Sequence, residues 1–220
     1  MERARPKYAE HAESHRFQFD EYFFVYQRCK PPAGSSMPIP LTQNFRALEI
    51  TEEMYPGILS SFGIKYPDSV LDELTHGWSA PHFWAHHCVN HLKVLQHAKS
   101  DYIVFADADC YVKDSKPDGP SWVEEGIKIL ESNPRVFVVS PSDGRPCEGL
   151  DRMMSQQMFL VRARALRKMD FIPWDGKFID GGPFQEFYGL LEGWIYRHME
   201  KHNLYRYLLC QDYRWWHNQW

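Results

Sequence analysis

Two aspartates one residue apart, Asp107 and Asp109, close an apolar run, Tyr102-Ile103-Val104-Phe105-Ala106, with only Ala108 between them. Carboxylates that close repel one another when ionised, and the usual remedy is a divalent cation with oxygen ligands. The run itself reads as a strand buried on both faces. Ligands of open α/β sheets bind beyond the carboxyl ends of the strands, so such a strand delivers both acids to the ligand edge. Other residues suit a neighbouring role. Gln27-Arg28-Cys29-Lys30 ends an earlier strand-like run, and its cations can meet a diphosphate or stay solvated. Asn90 and His91 lie on a helical stretch from which they can contact a nucleotide. The same stretch pairs His82 with His86 and His87 with His91 at metal-pair spacing, but it lacks the carboxylate of a His-Glu-x-x-His site.

The elements that must hold these residues alternate between strand and helix. Tyr22 to Tyr26 is a first strand by aromatic and β-branched content, and Pro31 to Ser36 is loop. Phe45 to Ile50 is a second strand, after which Thr51 caps a helix whose first turn carries Glu52 and Glu53. A helix from about Pro81 to Ala98, capped by Ser79, places Trp84, Cys88, Leu92 and Leu95 on one face and feeds the Asp107 strand. Ser121-Trp122-Val123-Glu124 is a capping box opening a helix to about Leu130, and Val136 to Val139 is the next buried strand. Pro141 to Leu150 reads as loop, Gln156 to Val161 as strand, Arg164 to Met169 as a short helix. Gly181-Gly182-Pro183 interrupts the chain before a helix ending near Asn203 and a last strand from Tyr205 to Cys210. This alternation predicts an α/β fold around a mainly parallel mixed sheet.

Composition narrows the class. With 44% of its residues hydrophobic and 15% aromatic, a chain of 220 residues suffices for one packed domain. A net charge of -4 and a pI near 6.3 give no electrostatic support for nucleic-acid binding. Five dispersed cysteines, with no Cys-x-x-Cys pair, argue against a disulfide framework or zinc ribbon and for reduced thiols. The first residues are charged, and no apolar stretch reaches membrane-spanning length, so a soluble, cytoplasmic protein without a signal peptide is expected.

Asp101 to Asp109, preceded by the helix ending Gln96-His97-Ala98-Lys99-Ser100, resembles the Asp-x-Asp strand of the GT-A glycosyltransferases, particularly family 2. Met158 to Arg162 with its following helix resembles the acceptor-side strand and helix of that family. Glu192, its helix, the strand from Tyr205, Asp212 and His217 resemble the acidic motif, helix, strand and terminal histidine. The resemblance spans roughly residues 90–217. It implies a single GT-A domain, with residues 1–20 as a surface arm, a nucleotide-sugar half over about 22–112 and an acceptor half over about 113–220. The domain can stand as one module of a longer polypeptide.

The activity implied is transfer of a hexose-like sugar from a nucleoside diphosphate donor, UDP by family preference, to a glycan or glycoprotein hydroxyl, with Mn²⁺ or Mg²⁺. Asp109 would ligate the metal, Asp107 would hold the ribose or a metal-bound water, and His217 would complete the metal shell. Inversion at the sugar needs a carboxylate base. Glu192 is the first candidate, although Gly193 stands where the family usually has a second acid, and Glu186 and Asp180 are reserves beside the glycine pair. A retaining reaction needs none. Aromatic faces stack on sugar rings, so Trp174 is a candidate acceptor platform, and Trp215 serves either the acceptor or the core.

Two other readings compete. Gln211-Asp212-Tyr213-Arg214-Trp215 matches the Gln-x-x-Arg-Trp pattern of processive polysaccharide synthases, without their transmembrane helices. Haloacid-dehalogenase-like phosphatases also end a strand in Asp-x-Asp and later show a strand ending in Ser, as Val136 to Ser140 does, but Tyr111 stands where they carry Thr or Val. A sugar-nucleotide or glycan-binding module without catalysis is the non-enzymatic alternative.

Overall fold

The computed structural model describes residues 13–27, 45–64, 80–107, 110–115, 118–142, 149–151, 157–171 and 191–217. The strands in chain order are β1 (Tyr22–Gln27), β2 (Phe45–Ile50), β3 (Tyr102–Ala106), β4 (Cys110–Asp114), β5 (Val136–Ser140), β6 (Gly149–Asp151), β7 (Met158–Arg162), β8 (Tyr205–Leu208) and β9 (Tyr213–His217). The helices are α1 (Tyr55–Ser61), α2 (Ala80–His97), α3 (Trp122–Ser132), α4 (Ala163–Arg167) and α5 (Leu191–His202), and a 3₁₀ turn, Glu52–Met54, precedes α1. The chain forms two compact units, one from residues 1–20, 100–166 and 199–220, the other from 21–99 and 167–198.

The first unit holds a five-stranded sheet in the order β3-β7-β5-β8-β6 and a two-stranded sheet of β4 and β9. Its core follows from sequence. The central strands β5 and β7 bury Val136 to Val139 and Met158 to Val161, as near-continuous apolar runs must. Helix α3 lays Trp122, Val123 and Leu130 into a cluster with Val139, Leu160, Leu209 and Tyr213. Each fully buried leucine there contributes about 2 kcal/mol of transfer free energy. Gly126 lets the helix lie close to Leu160 and Val139. The expected capping box forms: Ser121 Oγ accepts from Glu124 N–H at 3.2 Å, and Glu124 Oε2 accepts from Ser121 N–H at 2.6 Å. At the other end of α3, the Arg162 guanidinium donates to the Leu130 carbonyl, a favourable place for a cation.

The second unit pairs β1 and β2 in parallel from Tyr22 opposite Phe45 to Gln27 opposite Ile50. Helix α1 buries Tyr55, Ile58 and Leu59. It ends at Gly63, whose φ of +70° lets Ile64 N–H reach back to the Leu59 carbonyl at 3.0 Å. Helix α2 buries Cys88, Val89, Leu92 and Leu95, the spacing of one helical face. The Arg167 guanidinium closes its C-terminus on the carbonyls of Leu95 and Ala98. Phe171 links α1 to α5, its ring centroid 5.5 Å from those of Phe62 and Trp194.

The structure amends several expectations. The sheet is mixed, but within the five strands only β5 and β8 pair in parallel, while β3–β7, β5–β7 and β6–β8 are antiparallel. Parallel neighbours need a long crossover, and here α5 lies in the one between β5 and β8. Strand β3 is not buried on both faces: Ile103 and Phe105 are buried, but Tyr102, Val104 and Ala106 are partly exposed. It lies at the end of the five-strand order, and Tyr102 extends its hydroxyl to Glu131 Oε1 at 3.1 Å. Part of the stretch read as loop is strand β6, the strand expected from Tyr205 to Cys210 ends at Leu208 and is followed by a further strand, β9, and Thr51 leads into a 3₁₀ turn before the α-helix begins. Ser79 lies outside the described residues, as does the side chain of Trp84.

Candidate functional site

Asp107 follows directly on β3, and two backbone hydrogen bonds fix it. Its N–H donates to the Gln157 carbonyl at 2.8 Å, and its own carbonyl accepts from Cys110 N–H at 2.9 Å. The second bond closes a four-residue turn from Asp107 to Cys110. Cys110 then opens β4, which runs antiparallel to β9 with Cys110 opposite His217, Val112 opposite Trp215 and Asp114 opposite Tyr213. Directly opposed residues of such a pair have Cα atoms about 4.5–5.5 Å apart. The ladder therefore brings His217 to the residue that follows Asp109.

Strand β9 is gripped from two more sides. Ser142 N–H donates to the Tyr213 carbonyl at 2.7 Å, and Trp215 N–H donates to the Ser142 carbonyl at 3.0 Å. Ser115 Oγ donates to Asp212 Oδ1 at 2.8 Å where the two strands part. Trp215 is half-buried against the α3 cluster. Neither Ser142 nor Gln157 carries a recognisable sequence signal, because both act through backbone atoms.

The other unit holds Gln27, Asn90 and Glu192. Gln27 ends β1 opposite Ile50. Asn90 and His91 are half-exposed on α2 beside the buried Cys88, Val89 and Leu92. Burial pushes the Cys88 thiol well above its usual range, so it is no thiolate nucleophile at neutral pH. At the end of α2, His97 is held below the usual imidazole value by desolvation, then by Lys93 and Arg46. Glu192 lies in the first turn of α5 and is only 8% exposed. A solvated helix-face carboxylate is thereby ruled out for it, and the first turn is where the helix dipole favours an anion. On the same helix, His198 Nδ1 accepts from Asp170 N–H at 3.4 Å.

Arg28, Asp109, Trp174, Asp180 and Glu186 lie outside the described residues, as do the side chains of Gln27, His82, His86, His87 and His217. Among the described residues Cys88, Cys110 and Cys210 form no disulfide. No described helix is long and apolar enough to cross a membrane.

Residues 86–188 match the family model described as Glycosyl transferase family 2. No curated protein matches the chain. The matched segment contains β3, Asp107 and β7, and ends before Glu192, β8 and His217, on which the resemblance also rests. Over that segment the chain is similar to the family 2 glycosyltransferases, whose fold is the α/β fold of the GT-A class. The match falls on a family of glycosyl transfer, which implies a nucleotide-sugar donor and an acceptor.

Proposed function

We propose that this family 2-like glycosyltransferase moves a hexose-like sugar from a UDP-sugar to a hydroxyl of a glycan or glycoprotein, with Mn²⁺ or Mg²⁺ at Asp109, Asp107 and His217. The observation that carries the reading is the β4–β9 register, with His217 opposite the neighbour of Asp109. Two carboxylates and an imidazole fit Mn²⁺, and the carboxylates alone fit Mg²⁺. When bound, the ion supplies positive charge to the diphosphate as the sugar leaves.

The chain's own groups do the rest. Asp107, pinned through its backbone to Gln157 and Cys110, holds the ribose or a metal-bound water. Arg28 and Gln27, at the end of β1, and Asn90 on α2 bind the nucleotide and its diphosphate. Glu192 takes the acceptor hydroxyl's proton on a carboxylate oxygen as that hydroxyl attacks the sugar, with Glu186 and Asp180 as reserves. Burial of Glu192 supports the assignment only in setting it apart from a solvated helix-face carboxylate. Trp174 stacks on the acceptor; Trp215 reaches it only with the part of its ring left clear of the core cluster.

Calorimetric titration of metal-stripped protein with UDP, GDP and GMP, each with and without Mn²⁺, tests the proposal. The expected result is Mn²⁺-dependent binding of UDP that Asp109→Ala abolishes. Binding of none of the three under any condition would overturn it.

A further inference from the structure

The segment expected to be a surface arm is built into the first unit. Residues 13–16 make one helical turn, with Arg16 N–H on the Glu13 carbonyl at 3.0 Å, and Arg16 itself has a φ of +50°. Contacts with the rest of the first unit are made on both sides of that left-handed residue. His15 is 3% exposed, and its Nδ1 accepts from the indole N–H of Trp122 at 3.0 Å. Ser14 Oγ accepts from Val112 N–H of β4 at 3.4 Å. The Arg16 guanidinium donates to the Gly119 carbonyl at 2.8 Å. Phe17 and Phe19, edge to face at 5.0 Å, pack against the cluster that contains Cys110, Val112 and Trp122.

One of these contacts, from Ser14, falls directly on β4. Strand β4 begins one residue after Asp109 and is held by β9 through Cys110 and His217. Ser14 engages a backbone N–H in the middle of that strand, and His15 anchors Ser14 by a fully buried bond.

We infer that residues 14–19 are a positioning clamp beside the turn that Asp107 and Cys110 close: Ser14 and His15 fix β4, and through β4 the backbone pairing of Cys110 with His217. The inference rests on the proposed metal–nucleotide reading of that turn. Trp122 N–H is a buried donor, and His15 Nδ1 meets it in the form that carries no proton there. Losing that acceptor strands the donor, whereas an asparagine places Oδ1 where Nδ1 stands.

The test compares His15→Phe, which keeps a ring without the acceptor, with His15→Asn, which keeps the acceptor without the ring. Both are measured for Mn²⁺·UDP affinity and for hydrogen exchange at the Val112 amide. The clamp predicts that His15→Phe weakens Mn²⁺·UDP binding about tenfold and accelerates Val112 exchange by a similar factor, while His15→Asn stays within about threefold of wild type. Equal impairment of the two variants, or His15→Phe behaving as wild type in both measurements, would overturn it. If wild type binds no Mn²⁺·UDP, the metal reading fails by itself, and the Val112 exchange still decides whether the segment clamps β4. Should His15→Phe not fold, Ser14→Ala replaces it. That variant must accelerate Val112 exchange for the clamp to stand.

Discussion

A Cβ placed on Gly126 would stand 2.7 Å from Leu160 Cδ2 and 3.3 Å from Val139 Cγ1. Helix α3 can approach the central strands of the first unit only because that side chain is absent. Gly126→Val adds three carbons into a cluster where Leu160 is fully buried. Overpacking of this kind costs about 1–3 kcal/mol, more than the roughly 0.5 kcal/mol gained by removing a helical glycine. The variant should therefore show a lower urea midpoint with an unchanged m-value. An unchanged midpoint would mean that α3 can move away from the sheet at no cost.

His217→Ala should reduce Mn²⁺-dependent UDP affinity by about tenfold or more while leaving the fold intact, since loss of a metal ligand costs at least what loss of its supporting partner does. Titration against wild type, with circular dichroism as the folding control, checks it. Equal affinity would remove His217 from the metal shell and leave the carboxylates alone.

Glu192→Gln keeps the shape of a buried side chain and removes its capacity to take a proton. If Glu192 is the base, turnover should fall by about 10²–10⁴ with donor affinity unchanged. A variant with full turnover would pass the role to Glu186 or Asp180, or point to a retaining reaction.

Arg206 on β8 is 1% exposed and paired with Asp151 Oδ2 on β6 at 3.1 Å. Removing the acid keeps a buried cation and takes away this carboxylate, at a cost of about 3 kcal/mol, whereas an apolar replacement of the arginine removes the buried charge itself. Asp151→Ala should therefore be less stable than Arg206→Met in chemical denaturation. The reverse order would show that the other contacts of Arg206 dominate.

The capping box gives a pH-dependent prediction. Hydrogen bonds from Ser121, backbone first and side chain second, hold the Glu124 carboxyl below its usual value. A depressed folded-state value means that the ionised form stabilises the fold above the ordinary glutamate range, and that this contribution fades as pH falls through the depressed value. The stability difference between wild type and Glu124→Gln should thus be present at neutral pH and vanish in acid. Ser121→Ala should cost about 1 kcal/mol at neutral pH. A difference for Glu124→Gln that persists at low pH would show that charge plays no part in the cap.

How far the sequence reached depended on how local the signal was. Helix α3 was legible to the residue at its start because a capping box is a four-residue pattern with one structural meaning, and Val136 to Val139 was legible as an uninterrupted buried run. The Asp107 strand was found by the same kind of run, but its burial was overstated. Whether a strand is central or at the end of an order depends on partners far along the chain, and here β7 comes from residues 158–162. Strand β6, three residues long with a glycine at its start, owes its pairing to β8 and has no propensity of its own to announce it. The parallel share was overestimated because strand–helix alternation does not fix strand direction when several turns are short. Among candidate site residues, Asp107 and His217 are proposed from residue type at a family spacing. The backbone holds on them from Gln157 and Cys110 were invisible to any residue-type argument.

The two units are interleaved along the chain, which passes between them at residues 20–21, 99–100, 166–167 and 198–199. During synthesis His15 must wait for Trp122, made 107 residues later. At the pace of a ribosome that is roughly 5–20 s. Cys110 waits in turn for His217. Until then Phe17 and Phe19 have no cluster to pack against, and the nascent chain offers them to whatever hydrophobic-binding chaperone is at hand. No single cut in the gene can yield either unit by itself, so a fragment expressed for study must be a fusion of separated segments or the whole chain.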